Sequence, residues 1–304
     1  MKRYHPASHP VKQILSLFFI VLITTGVFSQ GQLHVTDKKS GLRLSVINTT
    51  YPLLKLLLSG EADTERGIEI EFPEHVTGMN AQSKKVQQLY FVSLGTRNKR
   101  TLPVWKVIGN SIRYETTLQG NIRLIATATL DSLGVRYQYF FRNESDISYL
   151  NLQAVTCVKL YSTFADTLLQ RVYVHTTKGF ELLASDMPER LKMPLTKWLP
   201  CRYLVSHTWP VPVQRVQKDE DGIPRYYKST KADRPFLATL SHDKKWVAAT
   251  YTATTGNMWT NPERSCQHAD PSTKLPARGE GILNLRTFVY KDSLERLLKY
   301  VDQQ

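Results

Sequence analysis

Residues 122–142 read IRLIATATLDSLGVRYQYFFR, and their rhythm decides the fold. Ile122, Leu124, Ala126, Ala128 and Leu130 recur at every second position, with Arg123, Thr127 and Thr129 between them. After Asp131-Ser132-Leu133-Gly134 the alternation resumes, with Val135, Tyr137, Tyr139 and Phe141 set against Arg136, Gln138 and Arg142. Strand side chains point alternately to opposite faces, so both runs are strands with one buried face, joined as a hairpin.

The same period spreads outward from this hairpin. Leu150 to Tyr161 reads as a strand, as does the stretch around Val172 and Val174. Phe236 to Thr252 reads as a hairpin turning at His242-Asp243-Lys244-Lys245, and Leu283, Leu285, Thr287 and Val289 mark a last strand. Successive strands with short turns and few helix-period segments predict an all-β, antiparallel fold. One helix is expected at the C-terminus, where Leu294, Leu297, Leu298 and Val301 share a face and Asp292 stands at the cap position. A second, short helix is expected around Pro52 to Leu58.

Composition agrees with a globular chain. It has 304 residues, 41% hydrophobic and 10% aromatic, which is too apolar for disorder. Three cysteines cannot scaffold so long a chain, so its core must come from burial. Cys157, Cys201 and Cys266 allow one disulfide and one free thiol in an oxidising compartment. The start of the chain has the layout of a secretory signal peptide: Lys2, Arg3 and Lys12, an apolar stretch from Ile14 to Phe28, and an exit near Ser29. The expected organisation is therefore a leader over residues 1–29 and a single β-sandwich domain over 30–304, secreted or periplasmic, with no integral membrane segment after cleavage. Losing three basic residues with the leader takes the net charge from +14 to +11. That field favours acidic glycans or anionic surfaces, while the scatter of the basic residues argues against nucleic acid.

Seven of the fifteen prolines lie between Met187 and Pro235: Pro188, Pro194, Pro200, Pro210, Pro212, Pro224 and Pro235. Proline removes a ladder donor, so this stretch is expected to be a long loop outside the central sheet, carrying Trp198, Cys201, His207 and Trp209.

Candidate chemistry gathers at three places. In an extended backbone Cys266, His268 and Asp270 point to one side. That set suits a metal, or a nucleophile with its base, or a buried thiol beside a hydrogen-bonded imidazole at an Asp-Pro turn; with no second pair of cysteines, no metal or cofactor is expected. Arg171, Tyr173 and His175 share the polar face of a strand, where a guanidinium and an imidazole can hold a carboxylate or hydroxyls. Trp209 and Trp259 fall in or beside loops, and an exposed indole suits the apolar face of a sugar ring.

Three segments together resemble a known group. Phe164-Ala165-Asp166 followed by Arg171-Val172-Tyr173-Val174 is the first, and Ser241-His242-Asp243 leading to Trp246-Val247 is the second. Asn261-Pro262 leading to Cys266-Gln267-His268-Ala269-Asp270-Pro271 is the third. They are similar to secreted proteins related to the galactose mutarotase-like β-supersandwich, over roughly Tyr137 to Val301. The resemblance implies an antiparallel supersandwich with a sugar site on one sheet. The Asn-His…His…Glu pattern of aldose epimerases is not found in this chain, so no catalytic role carries over. The expected ligand is a carbohydrate, held by Arg171, His175, His207, Trp209, Trp259, His268 and Asp270. Two rivals share the fold: a sugar epimerase or polysaccharide lyase using His175 or His268 for proton transfer, and a non-catalytic cell-envelope interaction protein.

Overall fold

The computed structural model describes residues 33–62, 65–92, 102–188, 191–192, 201–211, 217–218 and 222–304. The leader and Trp198 lie outside the described residues. Two sheets account for almost all of the regular structure. The larger takes β1 (His34–Thr36), β2 (Arg43–Ile47), β3 (Leu53–Leu57), β4 (Ile68–Asn80), β5 (Val86–Gln88) and β10 (Tyr149–Leu160). It continues with β13 (Arg202–Ser206), β14 (Gln217–Lys218), β15 (Pro224–Tyr227), β18 (Asn257–Asn261), β19 (Cys266–Ala269) and β20 (Ser272–Leu275). The other holds β6 (Lys106–Ile108), β7 (Ser111–Leu118), β8 (Ile122–Asp131), β9 (Gly134–Asn143), β11 (Val172–Thr176), β12 (Gly179–Leu182), β16 (Phe236–Leu240), β17 (Val247–Tyr251) and β21 (Glu280–Tyr290). Through its middle the large sheet runs β3-β4-β10-β19-β18-β13-β15, and every pairing there is antiparallel except the parallel β13–β15. No helix among the described residues is long and apolar enough to cross a membrane.

The founding hairpin forms as its alternation dictates, with β8 and β9 paired from Ile122–Asn143 to Asp131–Gly134. Gly134 closes that turn at φ +127, where a Cβ would stand 2.1 Å from the Thr287 carbonyl oxygen of β21, so only glycine fits. The inward residues of β8 and β9 join those of β4 and β10 in one core. At its centre Phe72 packs against Tyr139, Tyr137 and Tyr114 at 5.0, 5.4 and 6.0 Å between ring centroids. Polar ties cross the same interface: the Tyr114 hydroxyl donates to the Phe72 carbonyl at 2.6 Å, and the Tyr139 and Thr156 hydroxyls meet at 2.5 Å. Replacing Phe72 with Ala is expected to cost about 3–5 kcal/mol, read as a lower denaturant midpoint.

Several expectations are corrected. Leu53–Leu57 is a strand, not a helix: Leu54 and Leu56 are buried while Leu53 and Lys55 are only half-buried, the period of a sheet, and β3 pairs with both β2 and β4. The proline-rich stretch does contribute to the sheet interior. β13 lies between β18 and β15, and its five residues include no proline. The C-terminal helix runs Leu294–Val301 with Ser293, not Asp292, at its cap. All three cysteines are free and buried thiols.

The sheets are also joined by a buried ion cluster. Lys228, fully buried after β15, reaches Glu181 of β12 at 2.8 Å, Asp186 at 3.2 Å and the Ser185 hydroxyl at 2.7 Å. Burial opposes ionisation of both carboxylates, but Lys228 with Thr176 at Glu181, and with Ser229 at Asp186, outweighs it and holds both below the usual range. Folded values below unfolded ones mean stabilisation that is present above the unfolded pKa of about 4 and lost as pH falls. Stability is therefore expected to drop between about pH 5 and pH 3, and Lys228→Met should flatten that part of the curve in urea titrations.

Candidate functional site

The β18–β19 hairpin places the largest share of the candidate residues. Gln267, at the middle of β19, faces inward and is buried. Its amide donates to the Thr239 hydroxyl at 2.8 Å and accepts from the Thr250 hydroxyl at 3.0 Å, fastening β19 to the opposite sheet. With Gln267 turned in, period two turns Cys266 and His268 out. In the ladder Trp259 stands opposite His268, and Leu204 of β13 opposite Trp259, so these share the outer face.

His268 is nonetheless fully buried, because Trp259 lies over it. The rings stack at 3.6 Å with 5° between their planes. The Trp259 indole N–H donates to Asp270 Oδ2 at 2.8 Å. Trp259 therefore does not offer an open platform for a sugar on that face. Asp270 Oδ1 and His268 Nδ1 approach to 3.8 Å, an ion-pair separation too long for a hydrogen bond, and neither atom has a hydrogen-bond partner.

On its other side His268 meets sulfur. Its Nε2 is 3.3 Å from Cys266 Sγ, and Cys157 of β10 joins them. Burial disfavours a charged imidazole, yet the adjoining Cys266 and Asp270 raise the pKa of His268 to about 10. Burial likewise disfavours a Cys266 thiolate, but Cys157 and His268 bring that thiol well below its ordinary value. Cys157 moves up, through its bond to Cys266 and through burial. Glu71 and Glu74 of β4 border the group, Glu71 paired with Lys159. Burial pushes Glu74 up.

A second feature is a row at one end of the hairpin. Ser206 of β13 pairs with Asn257 of β18, and Asp270, one residue beyond the Met258–Ala269 pair, continues that row. His207 and Trp209 follow β13 directly. Trp209 donates its backbone N–H to the Ser206 hydroxyl at 3.1 Å and rests its ring on Gly256, leaving the side chain 47% exposed. His207 Nδ1 meets the Ala232 carbonyl at 3.3 Å, and the next residue, Asp233, bonds His175 Nδ1 at 2.7 Å. One short segment thus links His207 and His175 across the two sheets.

Arg171 stands apart. Its guanidinium donates to the carbonyls of Leu240 at 2.5 Å, Thr163 at 3.4 Å and Ala165, so it holds a loop together instead of facing a ligand. A cavity of about 380 Å³ on the smaller sheet is lined by Arg136, Tyr251, Asn284 and Arg286 among others, and by none of the seven candidates. Glu71, Glu74 and Lys159 went unnoticed in the sequence, and Cys157 reads there only as a candidate disulfide partner. The signal for Glu71, Cys157 and Lys159 was a polar or thiol side chain at alternate positions of β4 and β10, a period that Glu74 does not follow. Trp259→Phe, which keeps the stack but leaves Asp270 without its donor, is expected to cost about 1–3 kcal/mol by chemical denaturation.

No family model matches the sequence, and no curated protein matches it. Among solved structures the chain is similar to a galactose mutarotase-like protein from Lactobacillus casei, with TM-score 0.47 and 11% identity over 86% of this chain and 100% of that one. It is also similar to a putative aldose 1-epimerase from Escherichia coli K12, with TM-score 0.40 and 9% identity over 86% and 100%. An alpha-N-acetylgalactosaminidase from Bifidobacterium bifidum matches with TM-score 0.44 and 10% identity over 89% of this chain and 38% of that one.

Proposed function

We propose that this chain is an exported carbohydrate-binding protein whose ligand lies along the row at the end of β13, β18 and β19. The observation that carries this reading is the row itself. An exposed indole, Trp209, stands beside aligned polar groups on neighbouring strands, Asn257 and Asp270, with His207 adjoining. An apolar plate with a few converging hydrogen-bonding groups matches a sugar, which has apolar C–H faces and a rim of hydroxyls. Asn257 and Asp270 are both half-buried at that end of the sheet, so each keeps part of a polar side chain at the surface for sugar hydroxyls. Since Asp270 is a carboxylate, the row itself favours a neutral, hydroxyl-rich sugar; an acidic glycan is favoured only by the net charge, +11 without the leader.

A glycan array followed by calorimetry tests this. Trp209→Ala and Asn257→Ala are each expected to weaken binding at least tenfold, about 1.4 kcal/mol, with circular dichroism unchanged. Arg278→Ala is expected to bind as wild type, because the Arg278 guanidinium bonds to the Asp146 side chain and the Glu144 carbonyl on the exposed surface, away from the row. Absence of binding to every glycan, neutral and acidic, overturns the reading in favour of an envelope partner.

A further inference from the structure

Three groups that bind soft metals converge beneath Trp259. Sγ of Cys157, Sγ of Cys266 and Nε2 of His268 all lie within 4.8 Å of one another, and the three residues are buried. A tetrahedral zinc with Zn–S of about 2.3 Å and Zn–N of about 2.05 Å separates sulfur from nitrogen by about 3.6 Å and sulfur from sulfur by about 3.8 Å. The Cys266–His268 separation of 3.3 Å is close to that demand.

Two carboxylates border the cluster on its Cys157 side. Carboxylate oxygens of Glu71 and Glu74 lie within 4.8 Å of each other and of Cys157 Sγ. Glu71 is engaged by Lys159, while Glu74 has no ion-pair partner among the described residues. Glu74 owes its place to a bulge. The β4–β10 ladder steps from Cys157–Glu71 to Val155–His75, so Phe72, Pro73 and Glu74 stand opposite Thr156 alone. A bulge of this kind re-aims a side chain.

We propose that Cys157, Cys266 and His268 bind one zinc ion that ties β10 to β19, with Glu74 of β4 bordering the site on its Cys157 side. The far side of the imidazole supports this independently. A ligating histidine normally donates its other ring N–H to a carboxylate, which fixes its tautomer and orientation. His268 Nδ1 is buried, lacks a partner and faces Asp270, whose second oxygen is held by the Trp259 indole. Two sulfurs and an imidazole select zinc over the hard cations calcium and magnesium. All three ligands are buried and Trp259 covers His268, so the ion is enclosed by protein, as a structural zinc is.

The test uses the full chain. Elemental analysis is expected to find one zinc per molecule, and cobalt offered in its place is expected to show a thiolate-to-cobalt charge-transfer band with tetrahedral d–d absorption. Cys157→Ser and Cys266→Ser should lose both signals, Cys201→Ser should keep both, and Asp270→Asn should weaken zinc by about 10–100-fold. Should the serine variants at 157 and 266 fail to fold, the wild-type stoichiometry and cobalt spectrum decide alone. A folded wild-type protein with neither stoichiometric zinc nor a cobalt–thiolate band overturns the proposal. So does a non-reduced mass lower by two hydrogens, which would mean that Cys157 and Cys266 form a disulfide instead.

Discussion

The contact between the inner faces of the two sheets is the constraint on which the rest of this structure depends. Phe72, Leu124, Tyr137, Tyr139, Leu152 and Val158 are all but fully removed from water there. Each such side chain contributes about 1.5–3 kcal/mol relative to exposure. Because strand side chains alternate, a strand that commits Ile70 and Phe72 to this interface also commits Glu71 to the opposite face. A one-residue slip would exchange the two sets, and no other element could repair the loss. The chemistry of the outer face is thus positioned by the packing of the inner one.

Gln267 shows how tightly the two are coupled. A buried amide between the sheets would be costly if unpaired, and it is paired with Thr239 and Thr250 from two strands of the opposite sheet. Those bonds hold β19 to one rotation about its axis. Cys266 and His268 flank Gln267 and have no freedom of their own to choose a face. Trp259 then closes over His268, which is why an imidazole on an outer face is fully buried.

What could be read in the sequence follows from how local each signal is. The β8–β9 hairpin was legible because alternation and turn lie within one continuous stretch. The grouping of Cys266, His268 and Asp270 on one face was legible for the same reason. Cys157 was not, because it lies more than a hundred residues from Cys266 and meets it only through the β10–β19 register. Glu74 was hidden more deeply, since simple alternation from Glu71 does not bring residue 74 to the same face and the bulge alone does. β13 was obscured by composition: prolines on either side made the stretch look like loop, although none falls within Arg202–Ser206. Arg171 looks free on a strand in the sequence, and only the fold reveals the carbonyls of Thr163, Ala165 and Leu240 around it.

Asp270 joins the two features of the large sheet. One of its oxygens accepts the Trp259 indole N–H, the other faces the His268 ring, and its backbone ends the row that Ser206 and Asn257 begin. A carboxylate at the end of a strand would ordinarily swing with its solvent shell. Here the indole fixes it from one side and the imidazole attracts it from the other, so its orientation is set by groups beneath the surface. Whatever tightens the buried cluster of Cys157, Cys266 and His268 also tightens the acceptor that stands in the row above it. A binding surface is more selective when its polar groups are held before the ligand arrives, since less ordering is left to oppose association. The buried sulfur–imidazole cluster and the Asp270 carboxylate are therefore parts of one arrangement, in which the packing beneath Trp259 sets where that carboxylate points.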